Sequence, residues 1–273
     1  MKKNVLILGS GGREHAMAWK IAQSEALGQL FVMPGNPGTA QIAMNLPGNP
    51  TEAEEVRRAI LNYDIDILVC GPEAPLAEGL MDALHQASWN VKPIFVGPVQ
   101  AGAQLESSKA FAKDFMKRHG IPTAAYRIFQ KSETEEALEF MSQLRPPIVL
   151  KASGLAAGKG VLICQDHPTA EQELLQLLSG KFGSASETVV IEEFLDGIEF
   201  SVFILTDGKE YVMLPEAKDY KRIGEGDSGP NTGGMGAVSP VAFADAELMD
   251  KVTKRIIQPT LSGLQKENIE YKG

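Results

Sequence analysis

The run Val5-Leu6-Ile7-Leu8-Gly9-Ser10-Gly11-Gly12-Arg13-Glu14-His15 passes from four consecutive apolar residues into glycines and then into a polar, helix-forming stretch that extends to Ala22. An unbroken apolar run of this kind reads as a strand buried on both faces, as in a parallel sheet covered by helices. The unit recurs. Leu30 to Met33 ends at Pro34-Gly35-Asn36-Pro37-Gly38. Ile65 to Cys70 ends at Gly71-Pro72-Glu73-Ala74-Pro75 and leads into a helix over Leu76 to Ala87, and Ile94 to Val96 ends at Gly97-Pro98. Thr51 with Glu54 three residues on predicts a capped helix between the second and third strands. The reading is an open parallel α/β sheet, Rossmann-like, over residues 1–104. All four turns follow the carboxyl ends of strands, the edge at which such sheets bind ligands.

The pattern changes after that. A helix over Ser108 to His119 stops at Gly120 and Pro122, and a strand over Tyr126 to Phe129 precedes a helix opened by a capping box of Ser132 and Glu135. Strands over Ile148 to Leu150 and Val161 to Cys164 flank a glycine-rich stretch, and a helix covers Pro168 to Leu178. Val189 to Phe194, Phe200 to Leu205 and Tyr211 to Leu214 are spaced as an antiparallel meander. Glu216 to Pro240 has no periodicity and reads as a loop that is either functional or disordered. A helix over Asp245 to Leu264 follows, and Tyr271 reads as a strand start. Residues 105–273 therefore form an α+β region.

The chain carries 26 lysines and arginines against 35 aspartates and glutamates, a net charge of −9. This excludes the net basic surface that sequence-independent binding to nucleic acid or to an anionic membrane requires. With 44% hydrophobic and 22% charged residues the composition is that of a globular protein, and the length favours two compact units. Cys70 and Cys164 are too far apart for a clustered metal pattern and read as free thiols in a reducing compartment, so the cytoplasm is the expected location. The run Val5 to Leu8 is too short for a signal segment, and no stretch approaches the roughly 18–20 apolar residues of a membrane span.

Five stretches carry chemistry. Gly9 to His15 joins a strand to a helix, so its amides and the helix dipole can hold a phosphate; it can equally be a tight turn. It is not a dinucleotide fingerprint, because the third glycine position holds Glu14 and no acidic residue ends the second strand. Glu73 lies between two stiffening prolines and can position an amine or sugar hydroxyls, or be a solvated turn residue. Lys151-Ala152-Ser153-Gly154-Leu155-Ala156-Ala157-Gly158-Lys159-Gly160 lacks the Gly-Lys-Ser/Thr order of a Walker loop, yet suits a flexible hairpin over a polyphosphate with Lys151 as the charge clamp. Ile191-Glu192-Glu193-Phe194-Leu195, with Glu199 beyond it, can offer backbone groups to a nucleobase and a carboxylate to a ribose. Finally, residues 218–236 pack two lysines, one arginine, three acids and six glycines into 19 positions, a set able to hold both ends of a zwitterion.

Taken in order, Gly9 to His15, Gly35 to Thr39, Gly71 to Leu76, Leu105 to Phe115, Ile148 to Val161, Ile191 to Asp196 and Asp219 to Pro240 resemble the glycinamide ribonucleotide synthetase family of the ATP-grasp superfamily. The resemblance implies a pre-ATP-grasp domain at 1–104 and an ATP-grasp domain at 105–273, with a lid subdomain at about 123–188 and the domain incomplete at the carboxyl end. It implies ATP-dependent joining of glycine to 5-phosphoribosylamine with magnesium, a monomer being expected. Lys109 and Lys151 then look like the lysines on the ATP phosphates, and Gly154, Gly158, Lys159 and Gly160 belong to the flap. Glu192, Glu193, Phe194 and Leu195 look like the adenine hinge, and Glu199 like a ribose ligand. Lys151, Asp219, Lys221 and Arg222 are the implied catalytic group. Asp219, Asn231, Thr232, Gly234, Met235 and Gly236 would face glycine; Gly11, Gly12, Arg13, Glu14 and Glu73 would face phosphoribosylamine.

The resemblance has departures. Ser153 stands where an aspartate is usual, Ser107 where a glycine is usual and Glu225 where an aspartate is common; Ser153 removes a charge from the flap. The family continues beyond the length seen here, and that continuation is expected to carry the acidic and asparagine magnesium ligands. Asp245, Glu247 and Asp250 lie on a solvated helix and do not replace them. Little turnover is therefore expected of these 273 residues. The competing readings are a catalytically silent nucleotide- or sugar-phosphate-binding fragment of such a ligase and another ATP-grasp ligase or carboxylase, which the 219–240 stretch disfavours.

Overall fold

The computed structural model describes residues 2–156, 159–226 and 228–273, the side chains of Pro230 and Asn231 excepted. The chain divides into two compact units. The first comprises Met1–Ala103, Thr206–Glu210 and Glu267–Gly273, and the second Gln104–Leu205 and Tyr211–Lys266.

The first unit is built on β1 (Lys3–Gly9), α1 (Gly12–Ile21), β2 (Leu27–Pro34), β3 (Met44–Asn45), α2 (Ala53–Asn62), β4 (Ile67–Cys70), α3 (Glu73–Ala77), α4 (Leu80–Gln86) and β5 (Ile94–Val96), after which α5 (Gln100–Ser107) follows. Its five strands lie in the order β3-β2-β1-β4-β5 and every pairing is parallel. Alternation along β1 explains the unbroken apolar run: Leu6 and Leu8 enter the core under α2 and α4, while Val5 and Ile7 enter the one that includes Ala18 of α1. Strand order reverses at β1, so the β1–β4 boundary is the switch point of the sheet. The turns leaving those two strands are Gly9 to Gly12 and Gly71 to Glu73, at the ligand-binding edge.

Several local expectations are corrected. Thr51 does not cap α2; its hydroxyl bonds to Asn49 Oδ1, and Glu55 rather than Glu54 accepts the Asn49 amide. The helix expected over residues 76–87 is two helices, broken where Gly79 takes a φ of 87°. Residues 271–273 do not enter a sheet. Gly97 donates to the Lys272 carbonyl at 2.7 Å, and Thr206 and Gly273 exchange two backbone bonds of 2.9 Å.

In the second unit α6 (Lys109–Arg118), β6 (Tyr126–Gln130), α7 (Thr134–Ser142), β7 (Ile148–Ala152), β8 (Val161–Cys164), α8 (His167–Leu178) and β9 (Thr188–Glu193) come first. The strands form an antiparallel sheet, β6-β9-β7-β8. Phe129, Ile148, Leu150, Val189 and Ile191 share a core with Ala137 and Met141 of α7 and Leu174 and Leu177 of α8. The period of two along β7 and β9 puts Lys151 and Glu192 on the opposite face. The capping box that opens the segment before α7 is Gln130 with Glu133, two residues earlier than Ser132 and Glu135.

The rest of this unit is β10 (Ser201–Thr206), β11 (Tyr211–Gly224), β12 (Ser228–Val238), α9 (Ala246–Val252) and α10 (Gln258–Lys266), the two helices being joined by a π-turn over Thr253–Ile257. The meander is therefore split: β9 pairs in the four-stranded sheet, and β10-β11-β12 form another. The stretch 216–240 is for the most part a hairpin of β11 and β12, with register shifts on either side of Arg222. It carries no alternation because most of its residues are exposed on both faces, so no apolar side had to be encoded.

Among the described residues no helix is long and apolar enough to cross a membrane. Both cysteines are free; burial pushes the Cys70 thiol up to about 12, with the Glu14 charge adding to it, and raises that of Cys164. Thiolate is the reactive form. Both thiols are expected to react slowly with iodoacetamide near pH 8 in the folded chain and at an ordinary rate in urea. Timed quenching and mass spectrometry check this, and fast labelling of folded Cys70 would contradict it.

Candidate functional site

At the switch point of the first unit, Glu14 in the first turn of α1 is 3% exposed, although Gly12 and Arg13 before it are exposed. Its carboxylate turns inward and accepts from the Gly11 amide at 2.7 Å and from Arg13 Nε at 3.1 Å. Only glycine leaves room for it. A Cβ on Gly71 would lie 2.3 Å from Glu14 Oε1, and one on Gly9, whose φ is +119°, would lie 2.6 Å from Glu14 Cγ. Glu14, expected to face substrate, thus does not present its carboxylate to solvent; it braces the turn and aims Arg13. The Gly11 amide, expected to be open to a phosphate, is already bonded. Gly12 is exposed, and a Cβ built on it would meet open space.

Arg13 Nη2 reaches Glu73 Oε2 at 3.2 Å, so the expected Arg13 and Glu73 do meet. Partial burial works against the guanidinium charge, but bonds to Glu14 and Glu73 raise it above its ordinary value. Glu73 is held below the usual carboxylate range by its own amide at the start of α3 and by Arg13. Asn36 Nδ2 donates to the Ser10 carbonyl at 2.9 Å and ties the turn after β2 to the turn after β1.

In the second unit Glu192 is 3% exposed, with Lys113 against Oε2 and Lys151 against Oε1. The contact at Oε2 is ionic, without a directed hydrogen bond. Lys113 donates to Thr123 Oγ1 at 2.7 Å and lies 5.4 Å from the centre of the Tyr126 ring. Sequence reasoning missed Lys113, yet a signal existed: it stands four residues after Lys109, on one face of α6.

Lys109 is brought close to Lys151. Burial lowers its ammonium below the ordinary lysine range, and repulsion from Lys151 adds to that. Its Nζ donates to the Gly154 carbonyl at 3.2 Å. The start of α6 is clasped by the end of β7: the Lys109 amide donates to the Ser153 carbonyl at 2.9 Å, and the Ala110 amide to Ser153 Oγ at 3.1 Å. Ser108 Oγ takes the Phe111 amide and lies 3.4 Å from Ser153 Oγ. These amides are satisfied by protein groups and are not open to an outside anion. Gly154 packs so closely on Ala185 that a Cβ would come within 2.7 Å of its Cα; Gly160 is similarly close to Ala156, and Lys159 is exposed. Gly158 lies outside the described residues.

Beyond Glu192, Glu193 accepts from the Ala125 amide at 2.9 Å, and Phe194 and Leu195 are exposed. Lys221 Nζ lies 3.0 Å from Asp219 Oδ2 and 3.3 Å from Glu199 Oε1, so two carboxylates and an ammonium expected to act in the site meet on β11 and just before β10. Burial opposes the Lys221 charge, but these carboxylates raise it overall. Thr232 Oγ1 donates to the Lys221 carbonyl at 2.8 Å and accepts from the Gly234 amide at 3.1 Å; Met235 and Gly236 are exposed. Arg222 pairs in register with residue 231; the Asn231 side chain lies outside the described residues.

Two family models match the chain: phosphoribosylglycinamide synthetase, N domain, over residues 3–106, and phosphoribosylglycinamide synthetase, ATP-grasp (A) domain, over residues 107–273. A phosphoribosylamine–glycine ligase of Allochromatium vinosum is 48% identical over 276 residues, covering 98% of this chain and 62% of the relative. That of Clostridium acetobutylicum is 43% identical, covering 98% of this chain and 64% of its own length. The crystal structure of a phosphoribosylamine–glycine ligase from Thermotoga maritima superposes with a TM-score of 0.80 at 35% identity, over 99% of this chain and 63% of that one. The chain thus spans under two thirds of the length of these relatives.

Ser153→Ala is expected to cost about 1 kcal/mol, as loss of a helix cap does, and to lower the thermal midpoint. Ser153→Asp is expected to keep the cap and place a favourable charge at the helix start, leaving the midpoint unchanged or higher. Circular dichroism melts of both variants check the pair.

Proposed function

The chain belongs to the phosphoribosylglycinamide synthetase family, and from that membership we propose that it binds ATP, glycine and 5-phosphoribosylamine as part of an ATP-dependent ligase of purine biosynthesis. The observation that carries this reading is the convergence of Lys109 and Lys151 beside the small-residue loop at 152–160. Two ammoniums held at the cost of mutual repulsion are an anion site. ATP fits: the lysines take its phosphates, the backbone of residues 192–195 takes the adenine and Glu199 the ribose. Lys151 is the cation expected on the transferred phosphoryl group.

The reaction needs no protein nucleophile. A carboxylate is a poor acyl donor, so the glycine carboxylate attacks the γ-phosphate of ATP, giving glycyl phosphate and ADP. The amine of phosphoribosylamine then attacks the acyl carbon and phosphate leaves. What the chain supplies is position and charge. Asp219 and Lys221, paired on β11, are suited to the ammonium and carboxylate of glycine, with Thr232 and the amides of residues 234–236 close in sequence; Arg222 is the further cation of that segment. Arg13, steered by Glu14 and Glu73, is suited to the phosphate of phosphoribosylamine, together with the amides of Gly11 and Gly12; the bonded Gly11 amide has to exchange its partner to take part.

Magnesium is a different matter. Among the described residues no three His, Cys, Asp or Glu side chains converge as metal ligands do. These 273 residues are expected to bind nucleotide while turning it over slowly.

Two outcomes test the reading. In the longer relatives' form, ADP release should require both glycine and phosphoribosylamine; turnover with another carboxylate or amine would reassign the enzyme, and rapid turnover by the present chain would relocate the metal site. Secondly, because Lys109 sits below the ordinary lysine range, it loses charge at a lower pH than a free lysine. Affinity for ATP is therefore expected to begin to fall at a lower pH than it would with an ordinary lysine in that place. Calorimetry checks this, and a Lys109→Met chain should lose most of that dependence.

A further inference from the structure

We propose that Lys113 is a positioning residue whose task is to keep Glu192 neutralised when Lys151 leaves it for a polyphosphate, so that Lys151 is free to exchange partners. The inference rests on the nucleotide-binding reading above and extends it to a residue with no role in that reading.

The geometry makes the two lysines unequal. The Glu192 side chain is 4% exposed and lies against both ammoniums. Lys113, 9% exposed, is tied to Thr123 Oγ1 and covered by the Tyr126 ring. Lys151, 26% exposed, stands near the end of β7 where the small-residue loop begins. Of the pair, only Lys151 has somewhere to go.

With Lys151 as its sole partner, Glu192 would be left a buried, uncompensated carboxylate once that lysine moved to an anion. Removing one partner of a buried ion pair is strongly unfavourable, so Glu192 would retain Lys151 and compete with the ligand. The second ammonium changes the balance. Glu192 with Lys113 is already neutral, and Lys151 is the surplus charge of the cluster. Before ligand arrives, the carboxylate also offsets the repulsion between Lys151 and Lys109; a polyphosphate takes over that task from outside. The other polar groups packed on this face are consistent with a fixed Lys113: Tyr126 from β6 donates its hydroxyl to Asp114 of α6 at 2.8 Å, which holds the ring over the ammonium. Glu193 is engaged with the Ala125 amide and does not compete.

The test is a charge cycle on the intact 273-residue chain, titrated calorimetrically with magnesium ADP and separately with inorganic tripolyphosphate. Lys113→Met is expected to weaken both ligands by about tenfold to a hundredfold, because Lys151 is then held by Glu192. Glu192→Gln releases Lys151 and should bind tripolyphosphate at least as tightly as the parent. In Lys113→Met/Glu192→Gln the buried charge is gone altogether, and binding should return to the level of Glu192→Gln alone. Lys113→Arg keeps the compensation and should bind like the parent. Parent-like binding by Lys113→Met, or a double variant as weak as Lys113→Met, overturns the proposal, since a merely structural lysine is not rescued by deleting a carboxylate. If Lys113→Met does not fold, the comparison of Lys113→Arg with the double variant decides: binding that fails in either one overturns it. A parent chain that binds neither ligand overturns the nucleotide reading itself, and this inference with it.

Discussion

A carboxylate taken out of water must be answered by a positive charge, and in the second unit a cluster of three lysines is arranged around one such group. Glu192 sits in the middle of a four-stranded antiparallel sheet, on the face opposite the helices that cover it. Its neutralisation draws Lys113 from α6 and Lys151 from β7 to one point. Because Lys109 shares a helix with Lys113, the same constraint brings a third cation to the start of the small-residue loop. The cations would otherwise repel one another apart; the buried acid is what holds them together.

The first unit uses a comparable device on a different scaffold. Glu14 is buried beneath the turns that leave β1 and β4, where glycines at 9, 11 and 71 make room for it. Its effect is to steer Arg13 toward Glu73 at the edge where a parallel sheet offers its ligand site. In both units a buried acid sets the direction of a more exposed base. The substitution of Glu14 for the third glycine of a dinucleotide fingerprint therefore does more than exclude NAD: it replaces an open helix start with a guanidinium held in place.

The amides at the start of α6 offer a contrast. A helix start beside two lysines looks like a phosphate cradle, but Ser108 and Ser153 with their carbonyls have taken its amides. The departure at Ser153 becomes intelligible in that light. The position is a cap joining strand to helix, a task that serine and aspartate both perform, so the change alters charge more than geometry.

Much of this was legible in the order of residues. Backbone in a parallel sheet is buried on both faces, so runs such as residues 5–8 and 67–70 declare themselves, and the glycine and proline turns between them mark the ligand edge. Lys151 with Lys159 in a glycine-rich stretch and the mixed segment at 218–236 stood out because their residue types are costly to place together without a reason, whereas Lys109 entered only through the family resemblance. Local pattern chose wrongly at two helix starts: Gln130 with Glu133 makes the box expected of Ser132 with Glu135, and no side chain caps α2, where Thr51 instead bonds to Asn49. The hairpin of β11 and β12 was illegible because strands exposed on both sides need no alternation. The pairing of Glu192 with Lys113 and of Glu14 with the glycines at 9 and 71 belongs to the three-dimensional arrangement alone. Residues 79 and 57 positions apart become neighbours only when the sheets form, and no one-dimensional period records a charge that burial makes expensive.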